Sequence, residues 1–155
     1  MTTLIDHRDP STTCAATRFA APLPRPVRAD AERLAWDDFV GTYAPTGAGG
    51  TRLGSWDSCP ARNDLTDYRA TIAVDGRIWS LRESACGPLA AATAMLHALG
   101  CGVEITGLHQ QRLGSRVAML VEVDRCGRRA WGLGIDGSGD RAGVLALLAA
   151  LDRAV

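Results

Sequence analysis

The pattern of apolar and polar positions along this chain occurs twice. The segment Trp79–Ala98 runs from a strand led by tryptophan, through a tight turn that contains glycine, into a helix rich in alanine and leucine. The segment Trp131–Ala150 repeats that order with the same kinds of residue. Two copies of one strand–turn–helix unit in a short stretch of chain predict a duplicated fold.

Three strands are predicted before each helix, from apolar runs that are bounded by turn residues. The first set is Thr51–Ser58, Tyr68–Val74 and Arg77–Glu83, and the second set is Val103–His109, Arg116–Asp124 and Arg129–Ile135. The pair Asp75-Gly76 is a strong hairpin signal between two strands of the first set. The predicted fold class is therefore α+β, with duplicated βββα units whose antiparallel sheets pack against two helices.

Both predicted helices, Pro88–Leu99 and Asp140–Arg153, are apolar over more than one stripe. Proline in the first turn and Gly100 after the last turn are favoured at those ends of the first helix. A helix that is apolar beyond one stripe is buried on more than one side. A second subunit can supply that further cover, so we expect a homodimer, with a tightly packed monomer as the alternative.

The chain before the repeats divides into two parts by composition. Residues 1–29 are rich in Thr, Ala, Pro and Arg, and the alternating Pro22, Pro24 and Pro26 argue against a helix, so a disordered or loosely docked tail is predicted. Residues 30–50 form a linker, in which Asp30 caps a short helix Ala31–Tyr43 and a glycine-rich connection follows. Residues 51–155 then make up the main domain with its two repeats.

Composition excludes several classes of function. The 17 basic and 17 acidic residues balance, which gives no reason to expect nucleic acid or an anionic membrane as a partner. The five cysteines are scattered without a C-x-x-C pair, so neither a disulfide framework nor a zinc site is expected, and a reducing cytoplasm is the simpler location. No signal peptide or membrane-spanning run is apparent. The three histidines lack the spacing of a metal site, and we expect no metal, no cofactor and no catalytic residue.

Several short motifs together carry a family resemblance. They are Gly87–Ala90 at the start of the first helix, Gly102–Ile105 after it, Trp131–Asp136, and the closing Ala150–Ala154. In these motifs residues 68–155 resemble the C-terminal regulatory domain of 2-isopropylmalate synthase, an enzyme of leucine biosynthesis. The earlier stretch Leu34–Phe39 resembles the linker subdomain that precedes that domain. The family's usual G-x-G-P turn reads Ala85-Cys86-Gly87-Pro88 here.

This resemblance implies a regulatory and dimerising module without its enzyme. The catalytic part of the synthase is a TIM barrel, which needs about 200 residues or more. In the family, the effector leucine lies between the pseudo-repeats at the turns that enter the helices. The implied effector-binding residues are Gly87, Pro88, Leu89, Ala90, His109, Gly134, Ile135, Asp136 and Ala142. The implied partners are leucine or a related amino acid, a second copy of the chain, and a synthase catalytic partner.

Simpler interpretations of these residues stay open. Gly87-Pro88 can be only a strand-to-helix turn, Asp136 and Asp140 can cap the last helix, and His109 can be a satisfied strand-end histidine. Cys86 can be a reactive thiol beside a helix start. Two other functions also stay open, namely an accessory subunit of a split acyltransferase of the synthase type and a dimerisation scaffold without a ligand.

Overall fold

The computed structural model describes residues 13–45 and 50–155, and it confirms the α+β fold. A 3-10 helix (Ala15–Arg18) and two helices, α1 (Arg25–Arg33) and α2 (Trp36–Tyr43), precede the repeats. The first βββα unit consists of β1 (Arg52–Pro60), β2 (Thr66–Val74), β3 (Arg77–Ala85) and α3 (Pro88–Ala98). The second consists of β4 (Glu104–Leu113), β5 (Arg116–Arg125), β6 (Arg128–Asp136) and α4 (Gly139–Arg153).

Each unit forms its own three-stranded antiparallel meander, with strand orders β1-β2-β3 and β4-β5-β6. The second hairpin of each sheet turns over two residues with positive φ, Asp75-Gly76 (51° and 77°) and Cys126-Gly127 (53° and 84°). Such angles at both central positions define the type I′ turn, which matches the twist of the flanking strands. The first strand of each sheet also carries a register shift, after Leu53 and after Ile105. The two units therefore share fine geometry as well as element order.

Helix α4 joins the two units into one core. It packs on β5 and β6, and it also contacts β1 and α3. The main apolar cluster includes residues from both sheets and both of the later helices, among them Ile72, Leu96, Val121, Leu147 and Leu151, each no more than 2% exposed.

Helix α4 lies so close to β6 that the strand has no room for a side chain at Gly132 and Gly134, the two positions that face the helix. A Cβ atom on Gly134 would lie 2.0 Å from the carbonyl oxygen of Ala142, and one on Gly132 would lie 2.2 Å from the backbone nitrogen of Ala150. Ala142, Ala146 and Ala150 are one turn apart, so they form the strip of small residues on which the strand backbone lies. Glycine on the strand and alanine on the helix together set this spacing.

The N-terminal segment covers the other face of the second sheet. A second apolar cluster joins Ala15, Val27 and Phe39, all fully buried, to Leu120 and Leu133 of β5 and β6. Since α4 covers one face of the sheet and this segment covers the other, the consecutive residues Ala118–Val121 are all buried. Residues 1–12 of the predicted tail, with His7, and residues 46–49 of the glycine-rich connection lie outside the described residues.

The predicted helix Ala31–Tyr43 is wrong in its extent, because the structure has two helices here. Helix α1 begins at Arg25, and Pro26 occupies its first turn, where a missing N–H removes no helical hydrogen bond. The predicted exclusion of helix by the three prolines is therefore wrong for Pro26. Leu34 and Ala35 are extended and separate α1 from α2, since Ala15 N–H donates to Leu34 O (2.8 Å) and Cys14 forms an antiparallel bridge with Ala35.

A polar cluster fastens this segment to the end of α4. The Tyr43 hydroxyl donates to Asp30 Oδ2 (2.8 Å), and Arg33 donates to Asp30 Oδ1 (2.9 Å). The Arg153 guanidinium lies 4.2 Å from the centre of the Tyr43 ring and donates to the carbonyl of Trp131. Burial, followed by the hydrogen bond to Asp30, raises the pKa of Tyr43 to about 12, and the hydrogen bonds from Tyr43 and then Arg33 lower the pKa of Asp30.

We expect the protein to lose stability as the pH rises from about 10 to about 12. The folded state keeps Tyr43 protonated over this window, whereas an unfolded tyrosine ionises near its ordinary pKa of 10.0. A raised pKa of an acid stabilises the fold below the unfolded value, and that contribution, about 2 to 3 kcal/mol at most, disappears above the folded value. Urea unfolding at pH 9 and pH 12 measures it. Tyr43→Phe should flatten the decline, and an equally steep decline in that variant would contradict the assignment.

Candidate functional site

The start of α3 leaves backbone donors without partners. Gly87 is the N-terminal cap in an extended conformation (φ −171°, ψ 167°), and Pro88 occupies the first helical position. The Gly87 carbonyl accepts from Ala91 N–H (3.1 Å). Within the described residues, the N–H groups of Leu89 and Ala90 have no acceptor. Unpaired N–H groups in a first helical turn favour an anion such as a carboxylate.

The turn that enters α4 has side-chain hydrogen bonds that the start of α3 lacks. Ser138, rather than Asp136 or Asp140, is the N-terminal cap, and its side chain accepts from Arg141 N–H (3.4 Å). Asp136 accepts from Ser138 N–H (3.0 Å) and forms an ion pair with Arg141 (Oδ2 to Nε 3.6 Å). Asp140 lies in the first turn, where a carboxylate is stabilised by the helix dipole. The Asp136 carboxylate therefore has two partners within the chain.

The two helix starts meet beside the middle of β4. A Cβ atom on Gly143 would lie 3.4 Å from Leu89 Cδ2, so the first turn of α3 contacts the second turn of α4. A Cβ atom on Gly139 would lie 4.0 Å from Gln110 Nε2. Leu108 is two residues before Gln110 on the same face of β4 and is 57% exposed. This region, which we call the helix-start site, combines unpaired N–H groups, an amide side chain and exposed apolar surface.

The structure places the nine sequence-predicted residues at five different locations. Gly87, Pro88, Leu89 and Ala90 lie at the helix-start site. Gly134 and Ala142 are buried against each other in the contact between β6 and α4, which leaves no room for a ligand between them. Asp136 lies in the turn before α4, and Ile135 packs against the second cluster, on the sheet face that the N-terminal segment covers.

His109 lies on the opposite face of β4 from the helix-start site. It pairs with Leu120 across the sheet, and its Nε2 lies 3.0 Å from Gln111 Nε2. The Gln111 amide in turn donates to Ala21 O and accepts from Ala21 N–H, both at 3.1 Å. His109 thus belongs to the contact with the N-terminal segment. Its place at the helix starts is taken by Gln110, which the sequence analysis missed.

An uncovered apolar face adjoins the helix-start site. An open groove of about 580 Å³ is lined by five residues of α3, by Val103 and by the first two residues of β4: Leu89, Ala90, Thr93, Ala94, His97, Val103, Glu104 and Ile105. The Thr93 hydroxyl donates to Leu89 O (2.7 Å), so its polar group is satisfied within the helix. The surface that this face of α3 presents to another molecule is therefore mostly apolar.

Residues 13–45 and 50–155 contain no group of three or more His, Cys, Asp or Glu side chains that is arranged to hold a metal ion. In that part of the chain, no helix combines the length and the apolar character that crossing a bilayer requires. The described cysteines are all free thiols. The groups that the helix-start site offers a ligand are thus backbone amides, the Gln110 amide, the Asp140 carboxylate and apolar side chains.

Comparison with known proteins gives relatives of one kind. No family model matches the chain. The 2-isopropylmalate synthases of Kineococcus radiotolerans and Corynebacterium efficiens are 30% identical to it over 129 and 125 residues, and that of Renibacterium salmoninarum is 28% identical over 131 residues. Each match covers 77% of this chain and 22% of the relative. The chain is thus related to a domain-sized region of these synthases, as the C-terminal resemblance predicts.

Proposed function

We propose that this chain, related to a domain-sized region of 2-isopropylmalate synthases, is a regulatory domain that binds a small amino acid at the helix-start site. The observation that supports this proposal most is the pair of unpaired N–H groups at Leu89 and Ala90, beside exposed apolar side chains. Such a combination suits a molecule with a carboxylate at one end and an aliphatic group at the other. Leucine is the effector that the family resemblance implies.

The bound amino acid would be oriented by three kinds of contact. Its carboxylate would accept from Leu89 N–H and Ala90 N–H. Its ammonium group would face the Gln110 amide oxygen and the Asp140 carboxylate at the start of α4. Its side chain would lie against Leu89 and Leu108. Binding regulates a partner only if two packings of the protein bind the effector with different affinity.

We also propose that the uncovered face of α3 is where two copies of the chain associate. Ala90 and Ala94 are small residues that permit close approach of a second helix, and Val103 and Ile105 extend the apolar surface beside them. Trp79 on β3, which shares the sheet face of the buried Ile72, is 41% exposed and adds further exposed apolar area. An exposed apolar patch of this kind is typical of an interface between proteins.

Catalysis would require a region outside these 155 residues. The region that matches this chain makes up 22% of each relative. We therefore propose a synthase catalytic region as the partner that the effector controls, which includes the alternative of an accessory subunit in a split enzyme. The five free thiols fit a reducing cytoplasm.

Isothermal titration of the full chain with leucine should show saturable binding, and Gly87→Trp should abolish it. Gly87 has an extended backbone that any residue adopts, and a Cβ atom there would meet no atom within 4 Å. The indole would therefore fill the space in front of the α3 N–H groups without disturbing the fold. Valine, isoleucine and 2-oxoisovalerate, titrated next into this chain and into Gly87→Trp, would rank the preference for side chain and ammonium group, since only the heat that Gly87→Trp loses belongs to this site.

Ser80→Trp is the matched control, because it adds an indole to the exposed outer face of the first sheet. It should bind leucine as the unsubstituted chain does. Sedimentation of the same samples should give twice the 16.4 kDa chain mass if the proposed dimer forms. Folded protein that releases no heat with any of the four compounds would contradict the effector proposal and favour a scaffold without ligand.

A further inference from the structure

A second cavity lies at the opposite edge of the second sheet from the helix-start site, beside β6 and not β4. It is a groove of about 360 Å³ along the outer edge of β6, between the end of α2, the side of α4 and the start of β1. We call it the edge groove. Its walls are mainly apolar and include Val40, Leu53, Ile135, Leu145 and Leu148. Its volume lies at the lower end of the range typical of small-molecule sites, about 300 to 1,000 Å³.

The edge groove exposes unpaired backbone groups of β6. Among the strands of residues 13–45 and 50–155, β6 pairs with β5 alone, so one of its edges is open. The two-residue turn at Cys126-Gly127 makes Arg125 and Arg128 a hydrogen-bonded pair, and such pairs alternate along antiparallel strands. Residues 131, 133 and 135 therefore point their N–H and C=O groups to the open edge. The Arg153 guanidinium donates to the Trp131 carbonyl, which agrees with the outward direction of that group.

Two arginines bring positive charge to the edge groove. Arg52 at the start of β1 and Arg116 at the start of β5 both line it, and both are exposed. No Asp or Glu is among the described residues that line the groove, and neither arginine forms an ion pair with a described residue. The groove thus combines an apolar interior, two guanidinium groups and the N–H groups of Leu133 and Ile135.

We propose that the edge groove binds a small aliphatic monocarboxylate that lacks an amino group. The carboxylate accepts from Arg116 and Arg52 and from the Ile135 N–H, and the aliphatic chain lies against Leu145, Leu148 and Val40. An ammonium group on the ligand is unfavourable, because the lining offers two cations and no carboxylate. Of the nine residues predicted from the sequence, Gly134 and Ile135 line this groove, whereas none of the four at the start of α3 does.

The test is a titration of the ¹³C-methyl-labelled full chain with 4-methylpentanoate, which is leucine without its ammonium group. Saturable shifts are expected for the methyl signals of Leu145, Leu148 and Ile135. Arg116→Gln should weaken binding about tenfold, because it removes a charge-assisted hydrogen bond. Arg52→Gln should have a similar or smaller effect. Arg128→Gln, on the exposed hairpin of the same sheet, is the control and should bind the acid normally.

Two further probes separate charge from apolar contact. The alcohol 4-methylpentan-1-ol and acetate should each bind much more weakly than 4-methylpentanoate, because each lacks one of the two features that the groove recognises. Gly87→Trp should leave these shifts unchanged, so failure of the helix-start site and failure of the edge groove are distinguishable. Shifts confined to Leu89 and Leu108, no saturable shift, or unchanged affinity in Arg116→Gln would each overturn the proposal.

Discussion

Gly134→Ala is expected to destabilise the protein by about 3 kcal/mol or more, the upper part of the range for overpacked cores. The added methyl group would lie 2.0 Å from the Ala142 carbonyl oxygen and 2.5 Å from the Ala146 backbone nitrogen. Both atoms belong to the backbone of α4, so no side-chain rotation relieves the overlap. The helix must move away from β6, which also opens its contacts with the rest of the main cluster.

Urea unfolding of Gly134→Ala beside Gly137→Ala measures this effect. A Cβ atom on Gly137, three residues further along, would meet no atom within 4 Å. That variant should stay within about 0.5 kcal/mol of the unsubstituted chain. Equal stability of the two variants would mean that α4 lies further from β6 than the structure shows. A loss of leucine binding in folded Gly134→Ala, without loss of stability, would instead return Gly134 to a direct role in effector binding.

Much of the fold was predictable because its signals are local. The Asp75-Gly76 turn, the proline at the start of α3 and the spacing of apolar residues identify the strands and helices of both units in their correct order. Gly134 illustrates the limit of that reasoning. Its place in a Trp-Gly-Leu-Gly-Ile motif is equally compatible with a loop that approaches a ligand and with a strand that approaches a helix, and only tertiary packing distinguishes the two.

The composition of the candidate site depends on which residues of β4 face α4. The register shift between Ile105 and Gly107 decides which face of β4 each later residue occupies. A shift of one residue exchanges the two faces, which is why Gln110, and not His109, lies beside the start of α4. Such a shift has no reliable signal in a single sequence. The N-terminal segment was hard to predict for a related reason, since the extended Leu34 and Ala35 pair with Cys14 and Ala15, which lie about twenty residues earlier in the chain.

Phe39→Ala is expected to destabilise the protein by about 3 to 5 kcal/mol, as truncation of a fully buried aromatic residue does. The Phe39 ring is completely buried and lies 4.8 Å from the Tyr43 ring and 6.0 Å from the Phe19 ring, measured between ring centres. It belongs to the cluster that includes Leu120 and Leu133 of the second sheet. Its loss therefore opens a cavity between α2 and the sheet.

The size of this effect decides whether residues 13–43 are part of the folded unit or an appendage to it. Asp37→Ala, on the exposed side of the same helix, controls for changes in helix propensity and should cost no more than about 1 kcal/mol, the helix-dipole contribution of a carboxylate in the first turn. If Phe39→Ala lowers the free energy of unfolding of the whole chain in one transition, α2 and the second sheet unfold together. A loosely docked segment would instead give an unchanged main transition. In that case the edge groove, which needs the end of α2 as one wall, would lose affinity for 4-methylpentanoate in Phe39→Ala while the two βββα units stayed folded.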